Sequence, residues 1–172
     1  PGVDSTGLQF KEEILKINIP SGVADGMQLS MTGKGNESPG GGITGDLLIL
    51  IEEIVDDNFK RDGNNVVYDL YINFVDAALG NELEVPTLNG KVKIKIPPGT
   101  QSGKIFRLRG KGIKDLNTSS SGDQLIHVNI WTPKKLSGDE EKLLSQLKNS
   151  KNFKPNPGKS EKGFFDRVRD FM

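Results

Sequence analysis

Cysteine is absent from the chain, which removes disulfides and thiolate-bound metal from any account of its fold. A reducing compartment fits that absence, and the chain reads as cytoplasmic. Long apolar runs are missing too. The longest, residues 47–51, falls far short of the roughly 20 residues a membrane span needs. The opening PGVDSTG has neither the charged nor the apolar region of a secretory signal. Neither sign of charge dominates, because 23 Lys and Arg balance 23 Asp and Glu, so neither nucleic acid nor an anionic membrane is the expected partner. The single histidine, His127, falls mid-strand with no serine or carboxylate pair spaced to form a triad. It reads as structural, and no enzyme, cofactor or metal centre is expected.

Glycine is plentiful, at 21 residues with nine prolines, and helix-forming runs are confined to the C-terminal part. That balance favours short strands and many turns. The strongest signal is an internal repeat. KINIPSGVADGMQLSMTGKG returns as KIKIPPGTQSGKIFRLRGKG at a constant offset of 77 (Lys93 minus Lys16), and the same offset sets Gly45-Asp46-Leu47-Leu48-Ile49 on Gly122-Asp123-Gln124-Leu125-Ile126. Fixed spacing means two copies of one supersecondary unit. Each copy predicts three strands: an alternating one (Leu15, Ile17, Ile19 and Val92, Ile94, Ile96), a second through Leu29 and Met31 or Phe106 and Leu108, and a third over 47–51 or 125–130. Proline cannot donate to a ladder, so Pro20 and Pro97 end the first strands.

The expected architecture is mainly β: two tandem sandwich-like domains followed by a short helical element. The first covers 1–61 and the second 62–133, with the turn at 62–65 between them. Within the second, a strand carries Val67, Tyr71 and Phe74, a helical turn ends at Gly80, a strand runs over 82–85, and a type I′ hairpin turn is expected at Asn89-Gly90. Residues 134–172 form the helical part. Ser137 to Glu140 is a capping box, and Leu143, Leu144 and Leu147 make an apolar stripe. Past a Pro/Asn/Gly linker, FFDRVRDFM spaces Phe164, Phe165, Val168 and Phe171 helically. Such stripes pack on their own domain or on a second chain, and the second chain is favoured.

Several patterns that could carry chemistry have plainer readings. Gly40 to Gly45 matches dinucleotide-binding spacing, but a strand follows where a helix N-terminus is needed. The acidic cluster Glu52, Glu53, Asp56 and Asp57 lacks calcium-loop spacing. Lys91, Lys93 and Lys95, with Arg107, Arg109 and Lys111, suggest a basic patch for an acidic partner, although solubility explains them as well. A β-sandwich glycosidase would need two opposed carboxylates, whereas Glu82 and Glu84 share one strand. The copies themselves differ more tellingly. Residues 47–51 are apolar on both faces, while the second copy places His127 and Asn129 where the first has Leu50 and Glu52. An open apolar face or edge there would suit capture of an extended peptide by strand addition, a fully covered strand being the competing reading. Met27 and Met31 add soft side chains to the same copy.

The run INFVDAALGNELEVPTLNGKVKIKIPPGTQSGKIFRLRGKGI resembles the C-terminal half of DnaJ-type co-chaperones, and GDLLILIEEIVDDNFKRDGNNVVYDL is similar to the segment joining that family's two β-domains. The likeness runs from about Leu15 to Met172. It implies a two-armed clamp that dimerises through a C-terminal helical element, holds unfolded apolar polypeptide and delivers it to an ATP-driven DnaK-type chaperone. The family's client anchors fall on Leu15 and Ile49. With the surplus apolar positions Leu48 and Leu50, and with Ile17, the candidate peptide-binding set is Leu15, Ile17, Leu48, Ile49 and Leu50. The dimerisation set is Leu143, Leu144, Leu147, Phe164, Phe165 and Phe171. No His-Pro-Asp tripeptide and no cysteine-rich module occur, so the partner-stimulating J-domain and the family's zinc are not expected in this chain. The chain reads as a fragment starting just after the zinc module, with a partial groove. A structural spacer without a groove is the alternative.

Overall fold

The structure, a computed structural model, describes residues 12–38 and 42–157. Two compact units divide the chain, Pro1–Trp131 and Thr132–Met172.

The first unit is mainly β. In chain order come β1 (Gln28–Met31), β2 (Leu47–Leu50), β3 (Phe59–Asp62), β4 (Asn65–Asn73), α1 (Phe74–Leu79), β5 (Asn81–Thr87), β6 (Gly90–Ile96), β7 (Ile105–Leu108) and β8 (Gln124–Trp131). They form a β1–β2 pair, a four-stranded sheet ordered β3–β4–β8–β7, and a β5–β6 hairpin. Only β4 and β8 run parallel. Alternation turns Leu70 and Ile72 of β4 and Ile126 and Val128 of β8 to one face of the sheet, where Val85 of β5, Ile96 of β6 and Ala77 of α1 complete the core. Fully burying such branched side chains stabilises by about 1.5–3 kcal/mol each. The Asn73 side chain caps α1 by accepting from the Asp76 N–H at 2.8 Å. Gly80 ends the helix at φ +80°, where a Cβ would lie 2.9 Å from the Ile96 carbonyl oxygen. This core belongs to the second repeat. Among the described residues before Val66, none is buried.

The repeat holds atom by atom. Gln28 pairs with Leu50 and Leu29 with Ile49 in β1–β2; shifted by 77, Ile105 pairs with His127 and Phe106 with Ile126 in β7–β8. Gly35 N–H donates to the Gly45 carbonyl at 2.8 Å, as Gly112 does to Gly122 at 2.8 Å. The Asp46 carboxylate accepts from Gly33 N–H at 3.0 Å, and Asp123 accepts from Gly110 N–H at 2.8 Å. The Gly-Asp pairs and the GKG turns are thus two halves of one loop clamp.

Some expectations are corrected. Residues 15–19 form no strand among the described residues. Their counterpart β6 is laddered to β5, and the residues answering to β5 at the same offset, 4–10, lie outside the described ones. Phe74 opens α1 rather than extending β4. The β5–β6 turn links Thr87 to Gly90 through Leu88 and Asn89, and no described non-glycine residue has positive φ, so it is not type I′ on Asn89-Gly90. Thr87 Oγ1 accepts from Asn89 N–H at 3.3 Å and donates to the Gly90 carbonyl at 3.2 Å, fixing this alternative. Lys93 and Lys95 face Glu84 and Glu82 across the hairpin, and Arg107 lies in the four-stranded sheet. The turn at 62–65 joins β3 to β4 inside one sheet.

In the second unit, α2 (Gly138–Lys148) begins with the expected capping box: the Ser137 N–H donates to Glu140 Oε2 at 2.6 Å, and the Glu140 N–H donates to Ser137 Oγ at 3.4 Å. The Ser137 N–H, with the Ser137 hydroxyl that donates to the same oxygen at 2.9 Å, holds the Glu140 carboxyl below its ordinary range. One 3-10 turn, Lys151–Phe153, follows.

Candidate functional site

The two repeats share a framework and differ in how far each is enclosed. In the second, β8 is hydrogen-bonded on both edges, to β7 and to β4; in the first, β2 has only β1 as a ladder partner among the described residues. Among the described residues no strand pairs with its other edge, and a free strand edge is a template for another strand. Side chains tell the same story. Ile19 is 58% exposed where its counterpart Ile96 is fully buried, and Ile17 is exposed where Ile94 packs on the core. Leu15 and Ile49 are half-buried, whereas Ile126, counterpart of Ile49, is fully enclosed.

The pleat sorts the candidate residues. Leu47 and Ile49 share a half-buried face of β1–β2 with Leu29 and Met31; Leu48 and Leu50 lie on the opposite face, 60% and 73% exposed, beside Gln28 and Ser30. The two groups therefore flank one strand edge from opposite sides. A peptide laid along that edge alternates its own side chains between the same two faces.

Polar chemistry lies elsewhere. On the face of the four-stranded sheet away from the core, His127 Nδ1 sits 2.9 Å from Asp69 Oδ1 and Asn129 Nδ2 donates to the same oxygen at 3.4 Å. The hydrogen bond from His127 holds the Asp69 carboxyl below its ordinary value, against a smaller opposing effect of desolvation. Of the acidic cluster, Glu53 pairs with Arg61 and Asp56 accepts from the N–H groups of Asn58 and Phe59 at 2.8 and 3.0 Å. Among the described residues no group of three or more His, Asp or Glu could hold a metal ion, and no helix is long and apolar enough to cross a membrane.

The family model described as DnaJ C terminal domain matches residues 4–133. The chain belongs to the DnaJ C-terminal domain family. Relatives carry the same likeness. The chain is 49% identical over 158 residues to "Chaperone protein DnaJ" of Bacteroides fragilis, covering 92% of this chain and 40% of the relative. To the protein of that name from Bacteroides thetaiotaomicron it is 47% identical over 166 residues, 96% of this chain and 42% of the relative. To that of Salinibacter ruber it is 47% identical over 161 residues, 92% and 42%. The chain thus spans about two-fifths of the length of these DnaJ relatives.

In this DnaJ C-terminal chain the candidate dimerisation residues divide. Leu143 is 62% exposed and Leu147, one turn on, is exposed too; Leu144 is half-buried and lines an apolar hollow with Leu136 and Phe153, rimmed by Glu141, Ser145 and Lys148. Phe164, Phe165 and Phe171 lie outside the described residues. The residue that sequence reasoning passed over is Arg61, which reads as one more charge in a turn. No periodicity reveals that its side chain reaches back to the first repeat.

Proposed function

We propose that the chain is the client-holding, dimerising part of a cytoplasmic co-chaperone. In this reading the first repeat carries a groove for extended apolar polypeptide, the second forms the supporting β-domain, and the C-terminal helical part joins two copies. Leu15, Ile17, Leu48, Ile49 and Leu50 receive the client along the open edge of β2; Leu143, Leu144 and Leu147, with Phe164, Phe165 and Phe171, form the contact between protomers. A DnaK-type chaperone receives the held client. The observation that supports this reading is that the first repeat is less enclosed than the second: Ile19 is exposed and Ile49 half-buried where Ile96 and Ile126 are fully buried, and β2 has only β1 as a ladder partner among the described residues. Two linked grooves gain from effective concentration.

Two measurements on the 172-residue chain test it. Added at stoichiometric amounts to a chemically denatured client on dilution, the chain should suppress light scattering from aggregation; a spacer without a groove leaves scattering unchanged. Sedimentation should return twice the 18.8 kDa chain mass, falling to the monomer after truncation at Lys148. A monomeric untruncated chain removes the dimer from the proposal.

A further inference from the structure

We propose that Arg61 is a positioning residue: its guanidinium clasps the first repeat to the second and fixes the angle at which the first is presented. Arg61 sits in β3, an edge strand of the second repeat's sheet, yet most of its bonds go elsewhere. Nε donates to the Gly63 carbonyl at 3.0 Å, Nη1 to the Val23 carbonyl at 2.8 Å and to Glu53 Oε2 at 2.7 Å, and Nη2 to the Gly22 carbonyl at 3.2 Å. Four bonds thus leave one planar fork and end on three stretches of chain: the turn after Pro20, the connector following β2, and the turn between β3 and β4. The side chain is only 20% exposed, and its bonds to the Val23 and Gly22 carbonyls are partly buried.

The groups it holds are themselves anchored. Glu53 N–H donates to Asp25 Oδ1 at 2.9 Å, which ties the connector to the first repeat's own turn. Gly22 is pressed against the second repeat, where a Cβ would fall 2.2 Å from the Lys114 carbonyl oxygen. The repeat supplies the comparison. The turn answering to 22–23 uses its backbone differently, Gly99 N–H donating to the Ala77 carbonyl at 2.9 Å and the Gly99 carbonyl accepting from Gln101 Nε2 at 3.2 Å, both within the second repeat. One turn is therefore closed on its own domain, and its twin is held by a side chain from the neighbour. Lysine cannot replace that hold, since its three donors radiate from one nitrogen and have no planar fork. The functional weight of the clasp rests on the peptide-binding reading of the first repeat, but its geometry does not.

The absence of cysteine makes the test clean. Ser30→Cys on β1 and Lys93→Cys on β6, both exposed positions, accept spin labels, and dilution with unlabelled chain leaves only distances within one chain. The parent should give one narrow distance distribution. Arg61→Ala and Arg61→Lys should each widen it about twofold or more, as expected for domains whose interface no longer restrains them, while Glu53→Ala, which removes one bond of four, widens it less. Trp131, in β8, reports by its fluorescence that the second repeat stays folded. If Arg61→Ala fails that check, Arg61→Lys decides. Widths unchanged from the parent in a folded Arg61 variant overturn the clasp. Peptide affinity on the same samples separates the two proposals: a parent that binds no peptide but shows the narrow-to-wide change sinks the groove and keeps the clasp.

Discussion

Replacing Leu15 and Ile49 together by serine should lower affinity for an extended apolar peptide by about 100-fold, with the dimer intact. Each side chain, half-buried in the free chain, has apolar surface left to cover. Covering it contributes about 1.4 kcal/mol per residue, or roughly tenfold each. Summed, the two losses give about 100-fold. Fluorescence anisotropy of a labelled peptide reads the affinity and sedimentation reads the dimer. The companion variant Leu48→Ser with Leu50→Ser probes the opposite face of β2, where the two leucines cover little of the protein itself. It should also weaken binding, by about tenfold. A loss confined to the companion would move the site to that face; parent affinity in both would abolish the groove. Stability should hardly change in the companion, because Leu48 and Leu50 have little burial to lose.

A second large effect is expected in the second repeat, at Gly122. A Cβ there would fall 1.9 Å from the carbonyl oxygen of Asn64 and 2.3 Å from its carbon, so Gly122→Ala must push the 62–65 turn away. Several bonds meet at that turn: Ile113 N–H to the Asn64 carbonyl at 2.8 Å, Asp123 N–H to Asn65 Oδ1 at 2.8 Å, and Asn64 Nδ2 to Asp115 Oδ2 at 2.7 Å. Overpacking typically costs about 1–3 kcal/mol and each lost bond about 1 kcal/mol more, so about 3 kcal/mol or above is expected. Urea unfolding followed at Trp131 measures it. The repeat provides an internal control in Gly45→Ala, where among the described residues the new Cβ meets nothing nearer than the Asn36 carbonyl oxygen at 3.8 Å. That variant should be neutral or slightly stabilising, through the reduced freedom of its unfolded chain. Equal effects at Gly122 and Gly45 would contradict the close approach.

Much of this was legible in the residues because it is local. A constant offset of 77 foretold the β1–β2 and β7–β8 registers, since identical glycine, aspartate and alternation patterns dictate identical clamps. The capping box at Ser137 and the stop at Gly80 were readable for the same reason. Partner choice was not. Alternation in β4 announces a strand, but nothing in it says that its neighbour is β8 and that the two run parallel. Residues 15–19 show the converse: an alternating pattern that forms no strand among the described residues. The lysines of β6 looked like part of a basic strip because spacing along a chain does not report that Glu82 and Glu84 lie across the hairpin. Arg61 stayed hidden since its four acceptors are mostly backbone carbonyls, which have no sequence signature. Leu48 and Leu50 lie on the opposite face of β2 from Ile49, so the candidate residues flank one edge from both sides.

The pairing of Val66 with Gln124 joins residues 58 positions apart (124 minus 66), with the β5–β6 hairpin and β7 made in between. At a ribosomal pace of about 5–20 residues per second, β4 waits roughly 3–12 s after emerging before its parallel neighbour exists. Through that interval Leu70 and Ile72 have no β8 to meet, and long-range parallel pairing is intrinsically slow to form. During its own birth, a segment proposed to shelter sticky strands is itself an unfinished sheet with a bare greasy flank.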